Sequence, residues 1–370
     1  MKKYFLSLAI CLIPTVILGK TIDQYTIRQK AMGGVSVATF GDLRQFAANP
    51  AKVGLLSDGE FKLVHFNLGI NQDVIDSWSD IQAIQDESDE STQIEMLKDL
   101  VPLKIGVKNA LAPGLSYTRA NFGLSYDSFT EVSGRLKRKS APTLELSGGA
   151  VSNLSVAFAK PMKIGKKAVI AGISPRYVIH NRIFDKVTGS DTVEWSQSEI
   201  LRSINGIEDI EVDQYSLSGY AVDAGVLMPV KTKKSAGFHG FRVKNLISSL
   251  KGSKELTNET VDITTRDPFE LSYGISVDTV LPLFKKVRVA SDYNLISDYG
   301  PFFKRLHFGA EKKLSIVTLR AGVNQGYIGG GFGLNLWLLT LDYAYFGEEL
   351  GENVGYNELL THNFQIGLKF

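Results

Sequence analysis

Hydrophobic and polar residues alternate with a period of two along most of the chain after residue 59. In FELSYGISVD, residues 269–278, every second residue is apolar. The segments NFGLSYD (121–127), VRVASDYNL (287–295) and LLTLDYAYF (338–346) follow the same pattern. Successive side chains of a β-strand point to opposite faces, so this period predicts an all-β chain of strands that each have one apolar face.

Two architectures use such strands. In a soluble sandwich the apolar face packs on a second sheet, whereas in a transmembrane barrel it meets lipid and the polar face lines a lumen. The polar positions here mix Gly, Ser and Ala with charged residues, the predicted strands are long, and short turns alternate with longer polar links. These features favour a membrane barrel, and a soluble periplasmic sheet protein is the alternative.

The alternation can be threaded as a transmembrane antiparallel β-barrel of about fourteen strands over residues 59–370. An even number of strands puts the first and the last residue of the barrel on the same side, which is expected to be the periplasmic one. The predicted upward strands are 59–71, 121–134, 167–185, 237–248, 286–297, 315–323 and 338–346. The predicted downward strands are 113–119, 141–161, 212–230, 268–283, 302–312, 327–336 and 359–370. Pro175, inside a long strand, forfeits a ladder hydrogen bond and so suggests a bulge or a gap in the wall that could serve as a lateral exit. The alternative is a proline at an edge-like or bulged position with no role in transport.

The last eight residues, NFQIGLKF, end the chain with an apolar face and a terminal aromatic. The residues of that face are Phe364, Ile366, Leu368 and Phe370. This pattern resembles the signal that outer-membrane barrels present to the barrel assembly machinery, and the alternative is an ordinary amphipathic final strand. The predicted partners are therefore the assembly machinery and the lipid of the outer membrane.

The N-terminus has the features of a signal peptide over residues 1–19. Lys2 and Lys3 precede an apolar run of fifteen residues, 4–18, and Gly19 is a small residue at the cleavage position. The only cysteine, Cys11, lies in this run, so the mature chain has neither a disulfide nor thiol chemistry. Export together with the strand pattern predicts localisation in the bacterial outer membrane.

The segment AMGGVSVATFGDLRQFAANPAKVGLL, residues 31–56, is neither an alternating strand nor an amphipathic helix. Its small residues permit close approach of the backbone to a neighbouring surface, and Pro50 holds Asn49 extended. We therefore expect residues 20–58 to fill the lumen as a hatch. The residues expected to set its path are Gly33, Gly34, Asn49, Pro50 and Ala51.

This segment, with its Asn-Pro-Ala motif, resembles the hatch of the FadL-type family of hydrophobic-compound transporters and of its wider PorV-like and TraF-like branches. The segment LRAGVNQGYIGGGFGLNLWLLTLDYAY and the C-terminal strand resemble the same family, whereas residues 72–260 resemble it weakly. The resemblance implies a fourteen-stranded barrel with an N-terminal hatch. It also implies long apolar ligands, such as long-chain fatty acids, that leave sideways through a break in the barrel wall.

Charge and candidate chemistry narrow the functions further. The net charge is only +2, which does not suggest a nucleic-acid partner. The five histidines share no metal-ligand spacing, and no nucleophilic motif is complete, so neither an enzyme nor a cofactor or metal site is predicted. Charged residues on the polar faces of strands are expected to point into the lumen, because a charge that faces lipid is costly. The candidates are Arg176, Asp223, Asp278, Asp292, Arg320 and Asp342.

Residues 73–100 read as short helices in an extracellular loop, with apolar residues at helical spacing around the acidic sequence DESDES. They would form either a lid over the barrel mouth or a domain that packs on the rim. Two functions follow. One is a channel for a hydrophobic or amphiphilic small molecule, and the other is a structural or secretion-associated barrel that works through a protein partner.

Overall fold

The computed structural model describes residues 24–40, 45–56, 59–108, 114–206, 212–233, 235–281, 285–297, 300–351 and 353–369. The predicted signal peptide and its Cys11, as well as Phe370, lie outside these residues. Among the residues described, no helix is both long and apolar enough to cross a membrane.

Strands make up most of the described chain. They are β1 (Glu60–Asn71), β2 (Leu103–Lys108), β3 (Gly114–Arg119), β4 (Phe122–Lys137), β5 (Thr143–Ile164), β6 (Lys167–Ile183), β7 (Val193–Trp195), β8 (Gln214–Lys231), β9 (Ser235–Glu255), β10 (Thr260–Thr265), β11 (Glu270–Leu281), β12 (Lys285–Ile296), β13 (Leu306–Leu314), β14 (Val317–Asn324), β15 (Tyr327–Leu336), β16 (Leu339–Glu349) and β17 (Glu358–Lys369).

The helices are short. They are α1 (Ile27–Ala31), α2 (Gln45–Ala48), α3 (Gln72–Asp76), α4 (Trp78–Asp86), α5 (Glu90–Asp99) and α6 (Gln197–Ile204), with 3₁₀ helices at Pro50–Leu55 and Phe302–Arg305.

The strands form one closed antiparallel sheet. Neighbours in sequence pair around the ring, and β1 closes it by pairing with β17 on one side and with β2 and β3 on the other. Because β2 and β3 share one position, and β7 and β10 only extend the sheet beside β5 and β9, the ring has fourteen positions. The predicted barrel is confirmed. The prediction missed β2, which it assigned to a link.

The two faces of the ring differ in chemistry, as β17 illustrates. Phe364 and Ile366 are 55% and 52% exposed, whereas the intervening Asn363 and Gln365 are buried. In a closed ring the buried face is the inner one, so the outer surface is apolar and the inner surface is polar. This is the arrangement of a barrel surrounded by lipid.

We call the end of the barrel that carries the β5–β6 and β13–β14 turns the turn end, and the end that carries α3–α6 the loop end. At the loop end, Ile84 and Leu97 pack on Leu103 of β2 and Leu146 of β5, together with Ile200 of α6. Full burial of a side chain of this size contributes about 1.5–3 kcal/mol, which holds the helices against the strand ends.

Asp89 caps α5 by accepting a hydrogen bond from Thr92 N at 2.8 Å. Hydrogen bonds from Ser91 and Thr92 keep the pKa of Asp89 below its usual value. A carboxylate at this position also complements the positive end of the helix dipole.

Pro175 does not shift the wall. The β5–β6 register is the same before and after it, from Ser155 opposite Arg176 to Phe158 opposite Ile173. A register shift does occur nearby, between β8 and β9, at Val222–Ala224. Asn245, on the opposite strand, has a φ of 53° there, which is the strained conformation expected at a bulge.

Candidate functional site: the lumen and its N-terminal segment

Residues 24–40 and 45–56, which we call the N-terminal segment, run along the inner wall. Its α1 contacts β14 to β17, and its 3₁₀ helix contacts β4, β5, β6 and β8. A segment that touches opposite parts of a closed ring lies inside it. Thr26 and Gln29 cap α1 reciprocally, and every residue of α1 is buried.

Gly33 and Gly34 lie where the segment turns against the wall. Their φ angles are +66° and +85°, which only glycine adopts readily. A Cβ on Gly33 would lie 2.4 Å from the Phe308 carbonyl oxygen. The wall likewise has no room for a side chain at Gly322, because a Cβ there would lie 2.3 Å from Gly33 N. The two backbones therefore touch directly.

Asn49, Pro50 and Ala51 form the second contact with the wall. The Asn49 side chain accepts a hydrogen bond from Ala51 N at 3.1 Å and donates one to the Val37 carbonyl at 3.0 Å. Asn49 therefore caps the 3₁₀ helix and joins the two halves of the segment. A Cβ on Gly225 of β8 would lie 1.8 Å from Asn49 Oδ1, so this wall position also has to be glycine.

Asp292 binds the segment from β12. Its Oδ2 accepts hydrogen bonds from Ser36 N at 2.5 Å and from Val37 N at 2.8 Å. On β13, His307 Nδ1 donates to the Gly33 carbonyl at 3.1 Å. Both wall side chains are buried, so each hydrogen bond to the segment compensates for lost hydration.

An ionic cluster holds the segment at the turn end. Glu311 of β13 lies 2.7 Å from Arg28 of α1, 3.1 Å from Arg320 and 3.5 Å from Arg288. The Phe40 carbonyl accepts a hydrogen bond from Arg288 at 2.6 Å, and the Phe40 ring lies 3.8 Å from the Arg288 guanidinium. Asp278 and Asp342 complete the cluster at 2.7 Å from Arg288 and 2.6 Å from Arg320, respectively.

All six predicted lumen residues lie on the inner face, in three places. Asp278, Arg320 and Asp342 belong to the ionic cluster at the turn end, and Asp292 contacts the segment. Arg176 and Asp223 pair at 3.2 Å in the middle of the lumen. Sequence reasoning missed Glu311, Arg28 and the wall glycines. The glycines on the polar faces of strands were visible, but not which of them meet the segment.

Three cavities adjoin the segment. The largest, about 590 Å³, opens at the turn end and is lined by the ionic cluster. A cavity of about 50 Å³ lies in mid-lumen between the segment, Phe129 and Arg176. A third, about 80 Å³, lies nearer the loop end against Val151, His180 and Leu250. In the ranges that the structure describes, no three His, Cys, Asp or Glu side chains group as metal ligands.

The wall beside the mid-lumen cavity is built from two strand pieces. Strand β3 pairs with residues 122–127 of β4, and β2 pairs with residues 131–136. On the other side, β1 pairs with β3 at Glu60–Lys62 and with β2 at Gly69–Ile70. Residues 109–113, between β2 and β3, lie outside the described chain. Phe129 falls between the two paired blocks of β4 and lines the cavity.

Phe364, Ile366 and Leu368 form one apolar row on the outer face of β17. We predict that deletion of Phe370 lowers the amount of heat-modifiable barrel in outer-membrane fractions severalfold, because the predicted assembly signal would lose its terminal aromatic. Phe370→Tyr keeps an aromatic and should assemble normally. Equal assembly of the wild type and the deletion variant would mean that the terminal residue carries no signal.

Comparison with known proteins gives a likeness of fold. No protein-family model and no curated protein sequence matches this chain. The Ralstonia pickettii toluene transporter TbuX is 12% identical with a TM-score of 0.48, and the match covers 94% of this chain and 98% of that chain. The Pseudomonas putida toluene transporter TodX is 12% identical with a TM-score of 0.42, over 96% of this chain and 98% of that chain. A Pseudomonas aeruginosa FadL homologue is 10% identical with a TM-score of 0.45, over 96% and 99%.

Proposed function

We propose that this chain is an outer-membrane channel for hydrophobic or amphiphilic small molecules, with residues 20–58 as its hatch. The observation that carries the proposal is the wall built from two strand pieces beside a mid-lumen cavity. The N-terminal segment contacts strands on opposite parts of the ring, which supports the proposal that it blocks the straight path to the turn end. A solute that enters from the loop end therefore leaves through the wall, and only an apolar solute can enter the hydrocarbon there.

Between the mid-lumen cavity and the loop end, the inner wall carries apolar residues that such a solute can contact. Phe129, Val151, Val178 and Leu250 form a buried apolar cluster on the inner face of the strands β4 to β9. Phe129 belongs both to this cluster and to the mid-lumen cavity, and Val151 and Leu250 line the next cavity towards the loop end. These apolar residues lie among polar and charged ones, which make up most of the lining of both cavities, so the proposed route is amphiphilic.

Within this class we propose amphiphiles with an anionic head, such as long-chain fatty acids. Lys244 lines both the mid-lumen cavity and the cavity of about 80 Å³ nearer the loop end. Across the described ranges of the chain, it makes neither a hydrogen bond nor an ion pair within 4 Å. Glu270 lines the same two cavities, so a ligand carboxylate would compete with Glu270 for this ammonium group while the alkyl chain lies along the apolar cluster.

Substitution of Phe129 tests the route. Phe129→Gln should lower uptake of a radiolabelled long-chain fatty acid and of toluene about tenfold, because it removes roughly 1.5–3 kcal/mol of apolar contact. Phe238→Gln is the matched control. Phe238 also lies on the inner face, but it packs on Phe40, away from the cavity. Equal uptake by both variants would contradict the route.

A second function, a structural or secretion-associated barrel, is favoured by a different observation. The turn-end cavity of about 590 Å³ is lined mainly by charged residues, which suits a protein segment better than an apolar solute. Photo-crosslinking from Thr318, which lines this cavity, distinguishes the two. A specific protein adduct, with no uptake of solute, would favour the second function.

A further inference from the structure

Two neighbouring hairpins at the turn end carry lysines and no acidic residue. The β5–β6 hairpin has four, and the β8–β9 hairpin has two in the described chain. Strands β6 and β8 pair directly, so the hairpins are adjacent. Residues 158–170 and 228–240 contain no Asp or Glu. The lysines are Lys160, Lys163, Lys166, Lys167, Lys231 and Lys233.

These six lysines are exposed, and none makes a hydrogen bond or an ion pair within the described ranges. Charged groups on the inner wall are, by contrast, mostly paired, as in the ionic cluster around Glu311. Six unpaired like charges on adjacent hairpins repel one another, so an anionic surface that receives them gains electrostatic energy.

The same hairpins are also apolar on their outer face. Strand β5 continues six residues beyond its last pair with β4, Phe158 with Phe122. Met162 and Ile164 continue the outward row of Phe158, and Ile164 is 63% exposed. Lys160 lies in the same row. A hairpin that extended into water would have polar residues there, whereas this mixture suits the interface of a bilayer, where lysines extend to the phosphates.

The loop end has the opposite charge. Residues 73–100, which form α3, α4 and α5, contain nine acidic residues and one lysine. The small net charge of +2 is therefore the sum of a basic turn end and an acidic loop end. Anionic lipid attracts a basic surface at about 1 kcal/mol per lysine near the membrane, roughly a fivefold enrichment each.

We infer that the β5–β6 and β8–β9 hairpins form a binding surface for anionic phospholipids of the leaflet at the turn end. The inference rests on the proposed placement of the barrel in a membrane. The outward apolar residues lie among the acyl chains, and the lysine ammonium groups bind the lipid phosphates. Because the loop end is acidic, we expect anionic phospholipids to be enriched around the protein only in the leaflet at the turn end.

A tryptophan reporter tests this surface in the full-length protein. Ile164→Trp, in a protein whose native Trp78, Trp195 and Trp337 are replaced by Phe, is reconstituted in phosphatidylcholine vesicles that contain a fixed fraction of phosphatidylglycerol, with either one lipid or the other brominated. We expect quenching by brominated phosphatidylglycerol to exceed its bulk fraction severalfold. Replacing Lys160, Lys163, Lys166 and Lys167 by Gln should remove this excess, whereas replacing them by Arg should retain it.

Replacing Lys98, Lys139, Lys186 and Lys251 by Gln is the matched control, because these lysines lie at the loop end. Heat-modifiability shows that each variant is folded. Quenching equal to the bulk lipid fraction in the reporter protein, or an excess that survives the Gln variant, would overturn the inference. Salt-sensitive binding of an acidic soluble protein without lipid preference would assign the surface to a protein instead. Uptake of the fatty acid is measured separately, so failure of the channel proposal leaves this readout intact.

Discussion

Deletion of residues 31–50 should raise the ion conductance of the protein in planar bilayers severalfold. The deletion removes the backbone at Gly33 that contacts the wall at Gly322 and the Asn49 side chain that contacts the wall at Gly225. The sheet closes through β1 and β17 without help from these residues, so the ring is expected to survive. With the segment gone, a barrel of this size encloses a water-filled lumen.

A deletion of the same length at residues 78–97 is the control for this experiment. It removes most of α4 and α5 at the loop end and leaves the N-terminal segment in place. Its conductance should stay close to that of the wild type. A folded, heat-modifiable 31–50 deletion with unchanged conductance would mean that this segment closes nothing.

Substitution of Glu311 by Gln should release the segment at the turn end. Glu311 is the shared partner of Arg28, Arg288 and Arg320, so its neutralisation leaves three buried arginines with only two carboxylates. Removing one partner of a buried ion pair costs about 3–5 kcal/mol. Arg28 belongs to the segment, whereas the other members belong to the wall, so the contact between segment and wall is the one weakened.

The release can be read from a single thiol. The only cysteine lies at Cys11, in the predicted signal peptide, so Ala38→Cys gives the mature chain one reactive site. Ala38 is fully buried in the wild type. We expect Glu311→Gln to speed labelling of this cysteine about tenfold or more. Glu60→Gln is the matched control, since Glu60 lines the same cavity but pairs with Lys369. Equal labelling rates in the two variants would show that Glu311 does not hold the segment.

The period-two pattern predicted nearly every position of the ring because membrane strands keep one apolar face along their whole length. Strand β2 was missed although its six residues, LKIGVK, alternate in the same way. The run is only six residues long and follows directly on the helical residues 73–100, so it was counted with that link. The inward direction of Arg176 and Asp292 followed from alternation alone.

The partners of these side chains could not be predicted. The partner of Arg176 depends on the register of β6 against β8 and on the bulge at Asn245. Neither can be predicted from the residues next to Arg176 in the sequence. The path of the N-terminal segment along the inner wall could not be predicted either. Asn49 before Pro50 predicts a local cap, but the fit of Asn49 against Gly225 joins residues that are distant along the chain.

The contacts of α1 determine the stage of folding at which α1 can reach its native position. Arg28 pairs with a residue 283 positions away, and Lys30 donates a hydrogen bond to Asn363, 333 positions away. The N-terminal segment is synthesised early, but it reaches its native place only when the last strands exist. Contacts so distant in sequence make folding slow. Docking of α1 and closure of β1 on β17 use the same final strands, so the two events belong to a single late step of folding.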